Sequence, residues 1–180
     1  VIALFCVVAV ALSFEVYLRH AGYLEAQPAN YPCVMGDPVL NHVFQKNCEG
    51  LAAAAALKTE KDVVYKTNSF GLRGREPGTS KRRIVVIGDS YTEGFGLSET
   101  EAFPSQLESA LRKQGLRDFE VLNGGTLGFS PALYSKYFDR YFSNLRPKLV
   151  LLNLDFTDFS DDSQALRRAE FDSSGKPAGF

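Results

Sequence analysis

The residues best able to do chemistry lie in one short stretch. Ile84-Val85-Val86-Ile87 is a run of four β-branched residues that stops at Gly88-Asp89-Ser90, with Thr92 and Gly94 just beyond. A continuous apolar run of this length suits a parallel strand covered on both faces. Gly88 permits a tight turn, and the carboxyl end of such a strand is where open α/β sheets bind ligands. A serine exposed there can act as a nucleophile if a base takes its proton and donors hold the oxyanion that forms. The spacing is not the G-x-S-x-G elbow, because position 92 is Thr. The competing non-catalytic reading is that Ser90 only caps the following turn.

Partners for that serine are scarce. The chain has two histidines, His20 and His42, and both precede the strand. Asp89 adjoins Ser90 but leaves the opposite side of a tight turn, so the base role is not assigned to it. Asp155, Asp158, Asp161 and Asp162 crowd one later segment. Without a ligand-spaced loop closed by Glu they read as a solvated loop, and no metal site is expected. Neither G-x-G-x-x-G nor a Walker lysine follows the strand, so no nucleotide cofactor is expected. A net charge of −1 gives no electrostatic case for nucleic acid, and Lys81-Arg82-Arg83 reads as a solvated strand entry.

The elements that would position Ser90 follow in order. Ser98 and Glu101 have capping-box spacing and Pro104 suits a first helical turn. Phe103, Leu107 and Leu111 then recur on one helical face. Phe119-Glu120-Val121-Leu122 reads as a second strand turning out through Asn123 to Gly128. Ser130-Pro131 opens another helix with Leu133, Tyr137, Tyr141 and Leu145 on one stripe, ended by Pro147. Leu149-Val150-Leu151-Leu152 is a third apolar strand. Strand, helix, strand, helix, strand implies an α/β fold with a parallel sheet.

The 180 residues suffice for one domain and an appendage. Three regions are expected: an anchor segment over 1–19, a linker and lead-in over 20–80, and the α/β domain over 81–180. Val1 to Phe14 carries no charge. Its helical length of about 21 Å is short of a bilayer core of roughly 30 Å unless residues precede it. A membrane anchor is the expectation, with a cleaved signal segment and a buried helix as alternatives. Pro28, Pro32, Gly36, Pro38 and Gly50 punctuate the linker, Leu51 to Leu57 is alanine-rich, and Val63 to Thr67 favours a short strand. Cys33 and Cys48 show no metal spacing; a disulfide between them and two free thiols are both open. The chain closes on Asp172 to Lys176, a turn signal with no partner segment evident.

Ile87-Gly88-Asp89-Ser90-Tyr91-Thr92-Glu93-Gly94 resembles the first block of the SGNH, or GDSL, hydrolase family. The resemblance runs from about Tyr65 to Asp162. Asn68-x-x-Gly71-x-Arg73 and Asp37-Pro38-Val39-Leu40 are similar to lead-in segments of its membrane-anchored bacterial members, although each could be an ordinary turn. The resemblance implies a three-layer α/β/α sandwich of flavodoxin-like type, C-terminally incomplete here, and a serine esterase or acyl-hydrolase needing no cofactor. It implies Ser90 as nucleophile and the backbone N–H groups of Ser90 and Gly128 as oxyanion donors, Gly128 closing an Asn-x-x-x-x-Gly second block. The third block departs from the family: Thr157-Asp158 stands where Asn-Asp is usual, or a register shift brings Asn153 to the site. Asp89 and Asp158 are supporting residues. The family's Asp-x-x-His base has no counterpart, as in a fragment ending before that block. The expected substrate is an acyl ester, an O-acylated glycan or a lipid, met by a membrane-anchored domain outside the cytoplasm. A transferase acting on envelope polysaccharide, or a scaffold that kept the fold and lost the chemistry, are the alternatives.

Overall fold

In the computed structural model, residues 10–17, 31–57, 59–78, 82–174 and 177–179 are described. Residues 10–17 are helical (α1) with exposed side chains. No helix among the described residues is long and apolar enough to cross a membrane. The rest of the anchor segment expected over 1–19 lies outside the described residues, as does His20.

Two antiparallel hairpins come next. β1 (Val34–Asp37) pairs with β2 (Asn41–Phe44). The Asp37 carboxylate closes the turn by accepting from the N–H groups of Val39 and Leu40, both at 2.9 Å, the local bond that makes Asp a turn residue. Cys33 and Cys48 form a disulfide across this hairpin, which decides between the two thiol states left open by the sequence. β3 (Glu49–Ala52) pairs with β4 (Val63–Lys66), and the alanine-rich stretch between them gives only one helical turn, α2 (Ala54–Leu57).

The main sheet has three parallel strands. β5 (Arg82–Gly88) leads to α3 (Ser90–Glu93) and α4 (Phe103–Lys113), then β6 (Phe119–Gly125), α5 (Pro131–Tyr141), β7 (Leu149–Leu152) and α6 (Asp158–Arg168). The strand order is β6-β5-β7, with Val85 beside both Leu122 and Val150. The fold is thus mixed α/β with a parallel sheet. Ile84, Val85, Val86 and Ile87 are all buried; since alternate residues point to opposite faces, the central strand is covered on both.

The region expected to be a linker is part of this body. One compact unit runs from Pro32 to Phe180, so no boundary falls at residue 80. Leu40, Val43 and Leu72 share a core with Val85, Ile87, Leu122, Phe129 and Tyr137. Their burial comes one or two residues at a time, between prolines and glycines, and gives no periodic signal. Two more expectations are corrected. Of the acidic segment only Asp155 lies in a loop; Asp158, Asp161 and Asp162 belong to α6, where Asp158 and Asp161 occupy the first turn and suit the helix dipole. The terminal turn does have a partner: β8 (Glu170–Phe171) pairs with β9 (Pro177–Gly179).

Two glycines set how closely the elements around Ser90 pack. A Cβ on Gly125 would lie 2.0 Å from the backbone N of Glu93, and one on Gly124 would lie 2.8 Å from Val86 O. The end of β6 therefore rests directly on the backbone of α3.

Candidate active site

Asp89, not Ser90, caps the turn after β5. Its carboxylate accepts from Tyr91 N–H at 2.9 Å, and Ser90 is the first residue of α3. The capping reading of Ser90 is thereby replaced, and its hydroxyl is hydrogen-bonded to no other described residue. The Ser90 backbone N–H is one of the donors that a helix start leaves over.

The far end of α3 is fastened by the lead-in. Arg73 is buried and donates to the carbonyl oxygens of Glu93 at 2.9 Å, Gly94 at 2.6 Å and Leu97. Its guanidinium lies 4.0 Å from the centre of the Tyr65 ring. Asn68 shapes the approach by accepting from Phe70 N–H and Leu72 N–H and donating to Arg75 O. The Asn68-x-x-Gly71-x-Arg73 segment is thus more than a turn, since it satisfies carbonyls that the short helix cannot. Asn123, the first residue of the second block, adds a bond from its amide to Glu93 O at 3.1 Å and accepts from Gly125 N–H.

The loop after β6 brings Gly128 round. Phe129 N–H bonds Thr126 O at 3.1 Å, closing a four-residue turn whose third position is Gly128 at φ 71°. That backbone suits glycine, and a Cβ there would meet nothing within 4 Å. Glycine is therefore required by dihedral angle and not by space. Leu127 is held at both polar groups: its N–H donates to Glu93 Oε2 at 2.7 Å, and its carbonyl accepts from His42 Nε2 at 2.8 Å. Glu93 is fully buried, and burial pushes its carboxyl up to about 8, partly offset by the Leu127 N–H. The Gly128 N–H donates to no described residue.

Ser90, Gly128 and Thr157 line one open cleft of about 580 Å³, with Asp89 and Leu127 among its walls. That is a volume suited to a small-molecule ligand. Ser90 and Gly128 thus line a common space, and neither their backbone N–H groups nor the Ser90 hydroxyl bonds a described residue.

The third block contributes less. Thr157 reaches the cleft, but its hydroxyl is donated to Asp155 Oδ1 at 2.6 Å and its N–H to the same oxygen at 2.7 Å. Asn153 does not line the cleft; its amide donates to Thr92 Oγ1 at 3.0 Å. Neither expected side-chain donor is presented to an oxyanion. Asp158 is buried and accepts from Tyr134 O–H at 3.0 Å and from Asp155 N–H at 2.8 Å, so it ties the start of α6 to α5. Burial, reinforced by the charges of Asp155 and Asp158, raises the Asp89 carboxyl above its ordinary range. Hydrogen bonding from Thr157 holds the half-buried Asp155 below its own. Among the described residues no His, Cys, Asp and Glu group could hold a metal ion.

His42 is engaged elsewhere than at Ser90. Its Nδ1 lies 3.0 Å from Asn41 Oδ1 and its ring meets Phe129 edge-on, centroids 5.3 Å apart. Burial lowers its pKa. The contacts of Glu93 and His42 with Leu127 escaped sequence reasoning, because neither a glutamate inside the first block nor a histidine in a hairpin shows by itself what it will hold. Only the fold brings them to Leu127.

No protein-family model and no curated protein matches the chain. Among solved structures it is similar to AlinE4, an SGNH-hydrolase family esterase. The identity is 27%, over 48% of this chain and 46% of that one, at a TM-score of 0.41. Two AlinE4 mutant structures match in the same way, at 27% and 28% identity over 47% of this chain and 45% of theirs, each with a TM-score of 0.41. The chain therefore spans about half the length of the structures it matches.

Proposed function

We propose that this chain carries the nucleophile and oxyanion donors of a serine-dependent acyl-ester hydrolase. The observation that supports the reading is that Ser90 and Gly128 line one cleft, while the Ser90 hydroxyl and the two backbone N–H groups have no described partner. Ser90 Oγ would attack the acyl carbonyl carbon while its proton passes to a base. The carbonyl π electrons move to oxygen, and the two N–H groups hold that charge. Collapse expels the alcohol with a proton and leaves an acyl-serine, which water cleaves. The resemblance puts the base in an Asp-x-x-His beyond the third block; no imidazole is bonded to Ser90 among the described residues. No cofactor takes part.

The three described parallel strands are, in this reading, part of a three-layer α/β/α sandwich. An O-acylated glycan or a lipid is the proposed substrate, and a domain outside the cytoplasm, with a membrane anchor over 1–19, the proposed setting. The Cys33–Cys48 disulfide supports an oxidising compartment. A second reading, a binding or scaffold protein on the same fold, is favoured by one observation: the Thr157 hydroxyl is spent on Asp155, and Asn153, bonded to Thr92, does not line the cleft. An envelope acyltransferase would use the same Ser90 chemistry with a sugar hydroxyl in place of water.

Aryl acetate hydrolysis tests these readings. The 180-residue chain should be no faster than its Ser90→Ala variant, for want of a base. A complete protein carrying the downstream Asp-x-x-His should lose turnover on the same substitution. Turnover by the complete protein that survives Ser90→Ala would refute the assignment, and a complete protein inert toward esters would leave the scaffold reading standing.

A further inference from the structure

Gly128 N–H and Leu127 C=O are the two ends of one peptide unit. That unit is planar and trans, so its N–H and its carbonyl point to opposite sides. Whatever fixes the carbonyl therefore fixes the direction of the N–H. The carbonyl is held by His42 Nε2 at 2.8 Å, in a contact that joins positions 85 residues apart. A carbonyl oxygen only accepts, so the imidazole must carry a proton on Nε2, whichever state Nδ1 takes beside Asn41 Oδ1. A hydrogen bond received at the carbonyl also polarises the amide and strengthens its N–H as a donor.

His42 is itself rigidly mounted. It sits in β2, whose hairpin is bracketed by the Cys33–Cys48 disulfide. Asp37, at the end of β1, forms an ion pair with Arg140 of α5 at 3.1 Å. The ring packs edge-on against Phe129, one residue past Gly128. From the other side, Glu93 Oε2 holds Leu127 N–H. The loop is thus gripped by two residues, one from the segment that reads as a linker and one from the helix that Ser90 opens.

We propose that His42 is a positioning residue of the oxyanion hole, aiming the Gly128 N–H by gripping the carbonyl of the same peptide. The proposal rests on the reading of Gly128 as an oxyanion donor. It gives the first hairpin a function: this histidine acts through the backbone and accepts no proton from Ser90.

Two variants separate the hydrogen bond from the packing. His42→Phe keeps an aromatic ring against Phe129 and removes the donor; His42→Gln keeps an N–H donor. In the 180-residue chain, 15N NMR should show His42 protonated at Nε2. The Gly128 amide resonance should shift in His42→Phe and return toward its original position in His42→Gln, with the remote Gly115 amide unmoved. In the complete protein, His42→Phe should lower kcat about 10- to 100-fold, less than outright loss of an oxyanion donor. KM should stay within about 2-fold, as for an interaction used in the transition state. His42→Gln should recover most of kcat. A Gly128 amide that does not move overturns the proposal. So does an unchanged kcat in His42→Phe when Ser90→Ala abolishes turnover, and that result leaves the function reading intact. Turnover that survives Ser90→Ala removes the function reading, and this proposal with it.

Discussion

Glu93 is a carboxyl buried beneath the proposed oxyanion loop, and its ionisation is tied to folding. Its folded pKa of about 8 lies above the ordinary glutamate value of 4.5. The sign follows from linkage: the folded state keeps a proton that the unfolded state loses first, so stability is greatest below the unfolded pKa and falls as pH rises toward 8. Over that window the loss is on the order of 1.4 kcal/mol per pH unit. Glu93→Gln can still accept from Leu127 N–H but cannot ionise. Urea unfolding at a series of pH values from 5 to 8, chosen around roughly the two pKa values, should show the variant gaining on the parent at each step. A constant difference between the two would contradict a buried, titrating Glu93. Thr157 is a simpler case. Its hydroxyl already serves Asp155, so Thr157→Val in the complete protein should cost less than about 10-fold in kcat, well short of losing a working oxyanion donor. A larger loss would mean that Thr157 turns its hydroxyl to the substrate during the reaction.

At the scale of elements, the Ser90 turn depends on what surrounds it. α3 has only four residues, too few to stand without tertiary support. Arg73 contacts three carbonyls at and beyond the end of α3, and Gly125 of β6 lets the sheet approach its backbone closely. Arg73→Met keeps length and removes every donor. It should cost about 2–4 kcal/mol by removing a charged donor from three carbonyls, of which Leu97 O alone then has no other donor while Glu93 O keeps Asn123 and Gly94 O keeps the Leu97 N–H, measured as a shift in the urea midpoint with unchanged m. Gly125→Ala places a methyl against the α3 backbone, where no flexible side chain can yield. Overpacking of this kind costs about 1–3 kcal/mol, and the Ser90 and Gly94 amide resonances should move more than those of α4. If both variants unfold like the parent, the Ser90 turn holds its shape by itself.

For the whole molecule, one compact unit from Pro32 onward makes the disulfide a global staple. Closing a 15-residue loop stabilises by about 3 kcal/mol in the chain-entropy model. Reduction, or the double Cys33→Ser and Cys48→Ser change, should lower the unfolding free energy by that order. Thiol labelling of the protein taken from intact cells, before and after reduction, tests the proposed compartment. Cys33 and Cys48 should react only after reduction; reaction beforehand would argue for a reducing one.

The sequence by itself determined the three parallel strands and the two helices that connect them. Apolar runs such as Ile84 to Ile87 and Leu149 to Leu152, and the stripe of Leu133 and Tyr137, report their surroundings through local periodicity. It also pointed to Ser90 and Gly128 as site candidates, which the structure places along one cleft, because Gly88-Asp89-Ser90 and the run from Asn123 to Gly128 are contiguous patterns. What only the tertiary structure decided is everything that depends on contacts between distant residues. Arg73 reaches α3 from 20 or more positions away, and His42 reaches Leu127 across 85. The hairpins that carry the lead-in share the core through isolated residues such as Leu40 and Leu72. The third donor was decided the same way: whether the Thr157 hydroxyl faces a substrate depends on whether Asp155 takes it first, and hydrogen-bond competition of that kind leaves no mark on a sequence.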